Sequence, residues 1–300
     1  MRMRAPRPED AEAVLELIVA RDVADLGVPD YTLEDLRDEW ALNEVDLERD
    51  AVVVEDDDGA LVGYAIVRAL GAMVSVPPAQ EGRGIGTMLF RWAHDRSPRR
   101  RRWIGARNTA AQALLARAGY EPVRHYWRMR RGLDAPVPPA PDVGVALRPL
   151  DPVGDAEAAH ALKEAAFATT ADHMPESLEE FREHHLTTHD FAPELSLLAV
   201  RDGRPVGFLI ADRWEDGTGW VELLGVDPPE RGRRIGEALL LTAFAAFRAA
   251  GLRSAQLGVA SDNPRALRLY ERVGMTQGFR VDVFEYNAND ATPTQAGTSA

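Results

Sequence analysis

The segment richest in potential chemistry reads Leu224-Gly225-Val226-Asp227-Pro228-Pro229-Glu230-Arg231-Gly232-Arg233-Arg234-Ile235-Gly236, and an apolar stretch follows it. A strand-like run delivers the chain to a turn rich in Gly and Arg, and the turn opens a helix. The first N–H groups of a helix lack intrahelical partners and point toward one spot. With the helix dipole they form an anion site suited to a pyrophosphate. Glycine lets the backbone approach such a ligand closely. Arg234 offers a further phosphate contact through its side chain, but a requirement for positive φ at that position would weaken the turn. The plainer reading is a tight turn on an ordinary α/β domain.

The elements around the turn occur twice. Arg4 and Pro8 recur as Arg148 and Pro152, an offset of 144. Asp10-Ala11-Glu12-Ala13 recurs as Asp155-Ala156-Glu157-Ala158 at 145, and Gly63-Tyr64 as Gly207-Phe208 at 144. Gly82, Ile85 and Gly86 return as Gly232, Ile235 and Gly236 at 150; Asn108, Arg117 and Gly119 return as Asn263, Arg272 and Gly274 at 155. Ordered matches with a slowly growing offset mark a duplicated domain with loop insertions. The expected boundaries are 1–131 for the first copy, a proline-rich extended linker at 132–144, 145–288 for the second copy, and a disordered tail at 289–300.

In the second copy the pattern predicts strands at Val145–Arg148, Leu195–Arg201, Val206–Ala211, Trp220–Val226, Ala255–Val259 and Val281–Tyr286. Asp202-Gly203 reads as a hairpin turn between two of them. Helices are expected over Asp155–Phe167, Ser177–Leu186, Gly236–Ala250 and Pro264–Val273. Ser177 with Glu180 forms a capping box at the second helix, and Gly251 and Gly274 stop the last two. The order is α/β with a mixed central sheet flanked by helices in each copy. The hairpin excludes a doubly wound dinucleotide fold.

Bulk composition narrows the function. The chain has 300 residues, 45% of them hydrophobic and 28% charged, which suits two soluble domains. A net charge of −13 argues against nucleic acid as partner. There is no cysteine, which removes disulfides, thiolate metal sites and a thiol nucleophile. No stretch reaches the roughly 20 apolar residues of a membrane span, and the N-terminus lacks a signal-peptide pattern. A cytoplasmic protein is expected.

The turn resembles motif A of the GCN5-related N-acetyltransferases (GNAT), written Q/R-x-x-G-x-G/A, and the resemblance spans nearly all of each copy. The tandem layout, with Val226-Asp227-Pro228 upstream of Leu267-Arg268-Leu269-Tyr270-Glu271-Arg272, looks most like the actinobacterial tandem group that includes mycothiol synthase. The resemblance implies two tandem GNAT-like domains and acetyl-CoA as donor. It places pyrophosphate on Arg231, Gly232, Arg233, Arg234, Ile235 and Gly236, and pantetheine along Leu224, Gly225 and Val226, with Asn263 as a further donor-binding position. Arg231 fills the Q/R position, while Arg234 replaces the middle glycine. The first copy keeps Gly82, Arg83, Gly84, Ile85 and Gly86 after Val76, a possible second donor site, but has Glu81 at the Q/R position.

The same resemblance assigns roles to two further residues. A tyrosine at the place of Tyr270 protonates the departing thiolate, chemistry that a phenol can perform and Leu115, its counterpart in the first copy, cannot. An acidic residue on the central strand serves as general base, which points to Glu222. Core packing for Tyr270 and a strand-edge carboxylate for Glu222 are the competing readings. The second copy is therefore expected to be catalytic and the first degenerate. The expected reaction is acetyl transfer to a primary amine of a small molecule or peptide by direct attack in a ternary complex. The alternative is a non-catalytic acyl-CoA-binding or regulatory protein with both sites degenerate. Gly258, where ribosomal-protein relatives carry Glu, counts against such an acceptor.

Three features are discounted. His184, His185 and His189 have helical spacing but no acidic ligand pattern, so no metal is expected. Asp172-His173-Met174 and the run Arg99 to Arg102 after Pro98 read as solvated loops.

Overall fold

The computed structural model describes residues 1–287 apart from Leu70, Pro98 and Asp172. The expected disordered tail lies outside the described residues. The chain forms two units: Met1–Tyr126 with the described residues from Phe279 onward, and Trp127–Gly278. Each contains a β-sheet flanked by helices.

The first unit holds β1 (Arg2–Arg4), α1 (Ala11–Leu26), α2 (Leu33–Ala41), the short α3 (Leu47–Asp50), β2 (Ala51–Glu55), β3 (Leu61–Arg68) and β4 (Gly71–Ser75). Then come α4 (Ile85–Arg96), β5 (Arg101–Gly105), α5 (Thr109–Arg117) and the start of β6 (Tyr120–Gly132). Strands β1-β2-β3-β4 form an antiparallel sheet in that order. Its central strands are apolar on both faces because both are covered. Ala51 and Val53 join the cluster under α1, while Val52 and Val54 join Ile85 and Leu89 of α4. This is the two-residue alternation of a pleated strand.

The second unit contains the end of β6, then β7 (Ala146–Pro149), α6 (Ala156–Phe167), α7 (Leu178–His185), β8 (Leu197–Arg201), β9 (Arg204–Arg213) and β10 (Thr218–Val226). It continues with α8 (Ile235–Ala249), β11 (Ser254–Ala260), α9 (Pro264–Arg272) and the start of β12 (Thr276–Tyr286). The β9 alternation repeats that of β2: Phe208 and Ile210 face α6, and Leu209 and Ala211 face α8. The Ser177–Glu180 capping box starts α7 as the sequence predicts, its two hydrogen bonds being 2.6 and 3.2 Å. The sheet is mixed, with β10 antiparallel to β9 and parallel to β11.

The ends of the repeats are exchanged. Val281–Tyr286 was expected to close the sheet of the second copy. Instead Val281 through Glu285 pair with Gly105 through Arg101 of β5, in the first unit. In the second unit, β12 begins beside β6, and a Cβ on Gly278 would sit 3.0 Å from the Arg128 carbonyl oxygen. Glycine thus permits the close strand approach there.

The exchange also corrects the reading of the basic run. Arg101 and Arg102 are buried strand residues rather than a solvated loop. Arg101 Nε donates to Glu285 Oε1 at 2.7 Å. Arg102 lies against the faces of Phe90 and Tyr120. Pro98 lies outside the described residues. The proline-rich segment has no helix or strand between residues 135 and 145, but it is pinned to the second unit. Leu133 is buried, its N–H donates to Arg253 O at 2.9 Å, and Val137 and Val143 pack on the same core. Among the described residues no helix is long and apolar enough to cross a membrane.

Candidate active site

The Gly-Arg turn of the second unit is held from below. Asp227 N–H donates to Val206 O at 3.0 Å, and Glu230 N–H to Asp227 O at 2.8 Å. The buried Glu230 carboxylate is gripped by Arg201 and by Arg204 Nη2 at 3.0 Å, both from the β8–β9 hairpin. Beyond it the backbone turns left-handed twice, at Gly232 with φ +88° and at Arg234 with φ +61°. Among the described residues, the N–H groups of residues 232–236 find no backbone acceptor. A Cβ on Gly232 would meet nothing within 4 Å. Donors without acceptors, an open face and the positive end of a fifteen-residue helix fit a diphosphate.

The arginine side chains of the turn bind protein instead. Arg231 Nη2 donates to Ala166 O at 2.6 Å, tying the turn to the end of α6. Arg234 makes a two-pronged pair with Glu237, 3.0 and 2.7 Å, so its side chain is turned to the helix rather than into the turn. Arg233 is exposed and lies 3.4 Å from Glu230. Gly236 serves helix packing, since a Cβ there would stand 3.2 Å from Leu269 Cδ2. The open donors of the turn are therefore main-chain groups.

Upstream, β10 and β11 part company. Their parallel register covers Thr218, Gly219 and Trp220, whereas β10 stays paired with β9 as far as Val226 opposite Gly207. Past Trp220, among the described residues, the β11-facing edge of β10, including Leu224, Gly225 and Val226, has no ladder partner in β11, which leaves a slot beside its main chain. Such an edge accepts an extended, amide-bearing ligand as an added strand. Gly225 is required from the other side, since a Cβ would collide with the Phe208 ring at 2.3 Å.

Glu222 stands where the β9–β10 register shifts, between Val221 and Leu223. A bulge leaves one residue out of the ladder and re-aims its side chain. Glu222 Oε2 accepts from Trp220 Nε1 at 2.8 Å, and Oε1 lies 3.4 Å from His185 Nδ1. Burial would raise the Glu222 carboxyl, but His185 and Trp220 together hold it below the usual carboxylate range. The other imidazole nitrogen, His185 Nε2, is 3.5 Å from Glu176 Oε1. Glu176 is also bound by Lys163 Nζ at 2.6 Å and by His184 Nδ1 at 3.2 Å. His173, whose side chain is 11% exposed, pairs with Glu164 at 3.1 Å and so is no solvated loop residue; Asp172 lies outside the described residues.

Sequence reasoning missed this network. It weighs the histidines only as metal ligands and sets them aside for want of an acidic ligand pattern, whereas Glu176 precedes the helix, one residue before its Ser177 cap. Phe181 one turn earlier, packed on the His185 ring at 5.3 Å, was the available sign that His185 faces inward.

Tyr270 on α9 is 9% exposed and shares a hydrophobic cluster with Ile235 and Leu239 of α8, against which Leu224 and Val226 pack. Its neighbour Leu269 lies against Gly236, so α9 packs on the start of α8. Among the described residues no group hydrogen-bonds the Tyr270 hydroxyl, and burial alone pushes it up to about 12. Asn263 caps α9, its Oδ1 accepting from Ala266 N at 3.1 Å.

The first unit has a turn of the same form, with Leu115 rather than a tyrosine at the place of Tyr270. Gly82 and Gly84 have φ of +75° and +83°, and a Cβ on either, or on Gly86, meets nothing within 4 Å. Glu81 is turned to Arg21 at 2.6 Å, and Arg21 also reaches Val76 O at 3.4 Å. In the second unit Arg231 reaches the matching Val226 O, also at 3.4 Å. One guanidinium therefore braces each strand end, supplied by the helix in one unit and by the turn in the other. Leu115, opposite Tyr270, is buried among Phe90, Tyr120 and Phe284. Counting back from Val76 as from Val226, Ala72 stands in the place of Glu222, and β3–β4 pair without a bulge.

Known proteins are similar along most of the chain. Residues 15–120 and 159–275 match the acetyltransferase (GNAT) family model. A mycothiol acetyltransferase of Thermobispora bispora is 35% identical over 289 residues, 92% of this chain and 95% of the relative. Another, of Actinosynnema mirum, is 34% identical over 241 residues, 75% of this chain and 80% of the relative. A crystal structure of a GCN5-related N-acetyltransferase from Sphaerobacter thermophilus superposes with a TM-score of 0.77 at 33% identity, covering 94% of each chain.

Proposed function

The chain belongs to the acetyltransferase (GNAT) family, and from that premise we propose that its second unit moves an acetyl group from acetyl-CoA to a primary amine of a small molecule or a peptide end. The observation that carries this reading is the slot that opens between β10 and β11 beside a turn of open main-chain donors. The family makes it an enzyme; the acceptor and the residue roles are our assignment.

Acetyl-CoA supplies an activated thioester when bound. The N–H groups of residues 232–236 hold its diphosphate, and the main chain of Leu224, Gly225 and Val226 orients the pantetheine arm. Edge N–H groups of β10 stabilise negative charge developing on the carbonyl oxygen. Glu222 takes a proton from the acceptor amine, directly or through water, as the C–N bond forms. The C–S bond breaks, and the Tyr270 hydroxyl gives its proton to the departing sulfur. A thiolate of pKa near 8.5 is a poor leaving group beside bare apolar walls, and a phenol supplies the donor those walls lack.

The test is calorimetric titration with acetyl-CoA, followed by an amine panel read by free CoA release. The acceptor used by mycothiol acetyltransferases belongs first on that panel, given the relatives' names. Acceptor-dependent CoA release supports the assignment. Tight binding with no release on any amine overturns it.

A further inference from the structure

We infer that His185 is a positioning residue: clamped by Glu176, it fixes the Glu222 carboxylate toward the acceptor and keeps it ionised. This rests on Glu222 serving the acceptor amine as proposed above.

The geometry begins with the two imidazole nitrogens. Nδ1 faces Glu222 Oε1 at 3.4 Å and Nε2 faces Glu176 Oε1 at 3.5 Å. A neutral imidazole carries one N–H and satisfies one carboxylate; only the imidazolium offers a donor to both. The ring packs on Phe181, and its side chain is 13% exposed, so the two carboxylates rather than water set its charge. The clamp is itself anchored, because Glu176 is held by Lys163 of α6 and by His184 of α7.

Other charged groups nearby are Glu164 of α6, which binds Lys163 and His173, and Arg128 of β6. The Arg128 guanidinium lies over Trp220, 4.4 Å from the ring centroid. Trp220 Nε1 donates to the second Glu222 oxygen, Oε2, while His185 Nδ1 faces Oε1 at ion-pair distance rather than in a hydrogen bond. In keeping with this, the two carboxylates outweigh burial and push His185 up to about 9, while Glu222 is held low.

A merely structural pin between α7 and β10 would leave proton chemistry unchanged, so the readout is a pH profile. His185→Asn keeps a polar side chain and removes the charge. Its kcat/KM profile should show the acidic limb moved up by about one pH unit, with acetyl-CoA affinity within about twofold of wild type. Glu176→Gln leaves the imidazole in place with one carboxylate fewer, and its limb should move the same way by less. This variant stands in if His185→Asn does not fold.

A second readout needs no turnover. By histidine NMR, His185 in the wild type should titrate well above the usual 6.5, and in Glu222→Gln fall toward it. An unmoved acidic limb in an active His185→Asn enzyme, or an ordinary His185 titration in the wild type, overturns the inference. Full turnover in Glu222→Gln would instead sink the base assignment itself, so the two failures are separable.

Discussion

Arg234 adopts in the second unit the left-handed backbone that Gly84 adopts in the first, with φ of +61° and +83°. A side chain in that region costs about 1 kcal/mol, and here the pair with Glu237 offsets part of it. The turn's shape therefore survives the loss of the middle glycine. Because the guanidinium faces Glu237, Arg234→Gly should keep acetyl-CoA affinity within about threefold by calorimetry. Arg234→Val, β-branched and poorly tolerated at positive φ, should weaken it by tenfold or so. A large loss in the glycine variant would mean that the side chain, not the main chain, reads the phosphates.

Tyr270→Phe removes a buried hydroxyl that has no hydrogen bond among the described residues. Stability should stay level or rise slightly, as measured by thermal melting. Turnover should drop by about 10² with acetyl-CoA binding nearly unchanged. Because burial pushes the phenol up to about 12, the wild type should show no loss of rate from Tyr270 ionisation below roughly pH 11. Undiminished kcat in the phenylalanine variant would make Tyr270 a core residue only.

The Glu176–His185–Glu222 network links stability to pH. His185 is raised in the folded state, so its contribution is complete below its ordinary 6.5 and is lost as pH climbs through about 9. Glu176 and Glu222 are lowered, so theirs is present above their ordinary 4.5 and is lost as pH falls through the depressed folded values. Urea denaturation of the second unit should show greatest resistance between these limits. On the alkaline side it should decline by on the order of 1–3 kcal/mol. His185→Asn should flatten the alkaline decline; an unchanged slope would place its cause elsewhere.

Leu115 tests the difference between the units. It is 3% exposed and packed among aromatic side chains. Leu115→Ala should cost about 2–4 kcal/mol by denaturant titration while leaving kcat per folded molecule within about twofold. A collapse of kcat at preserved folding would show that the first unit takes part in chemistry.

Much of this was legible in the chain. The doubled Gly turns and the Ser177 capping box are local signals, and they fall where spacing puts them, whereas Asn108 and Asn263, matched only as a repeat, prove to be helix caps. Tyr270 could be located by counting from Asn263, because a helix fixes that distance. The Glu176–His185–Glu222 contact joins a loop, a helix and a bulged strand, which no local period encodes. The bulge had no signature at all, since Glu222 sits in a run that reads as an ordinary strand. The fate of Arg101 depended on a partner 184 residues away, Glu285, and that of Arg102 on pairing with Phe284, so neither could be read from the basic run itself.

The placement of β12 bears on how the protein is made. Residues 281–285 supply the neighbour of β5, so the unit begun by residues 1–126 stays unfinished until the whole of the second unit has been made. Cutting the gene within the proline-rich segment would strand that unit with a bare β5 edge, open to whatever extended chain lies nearby.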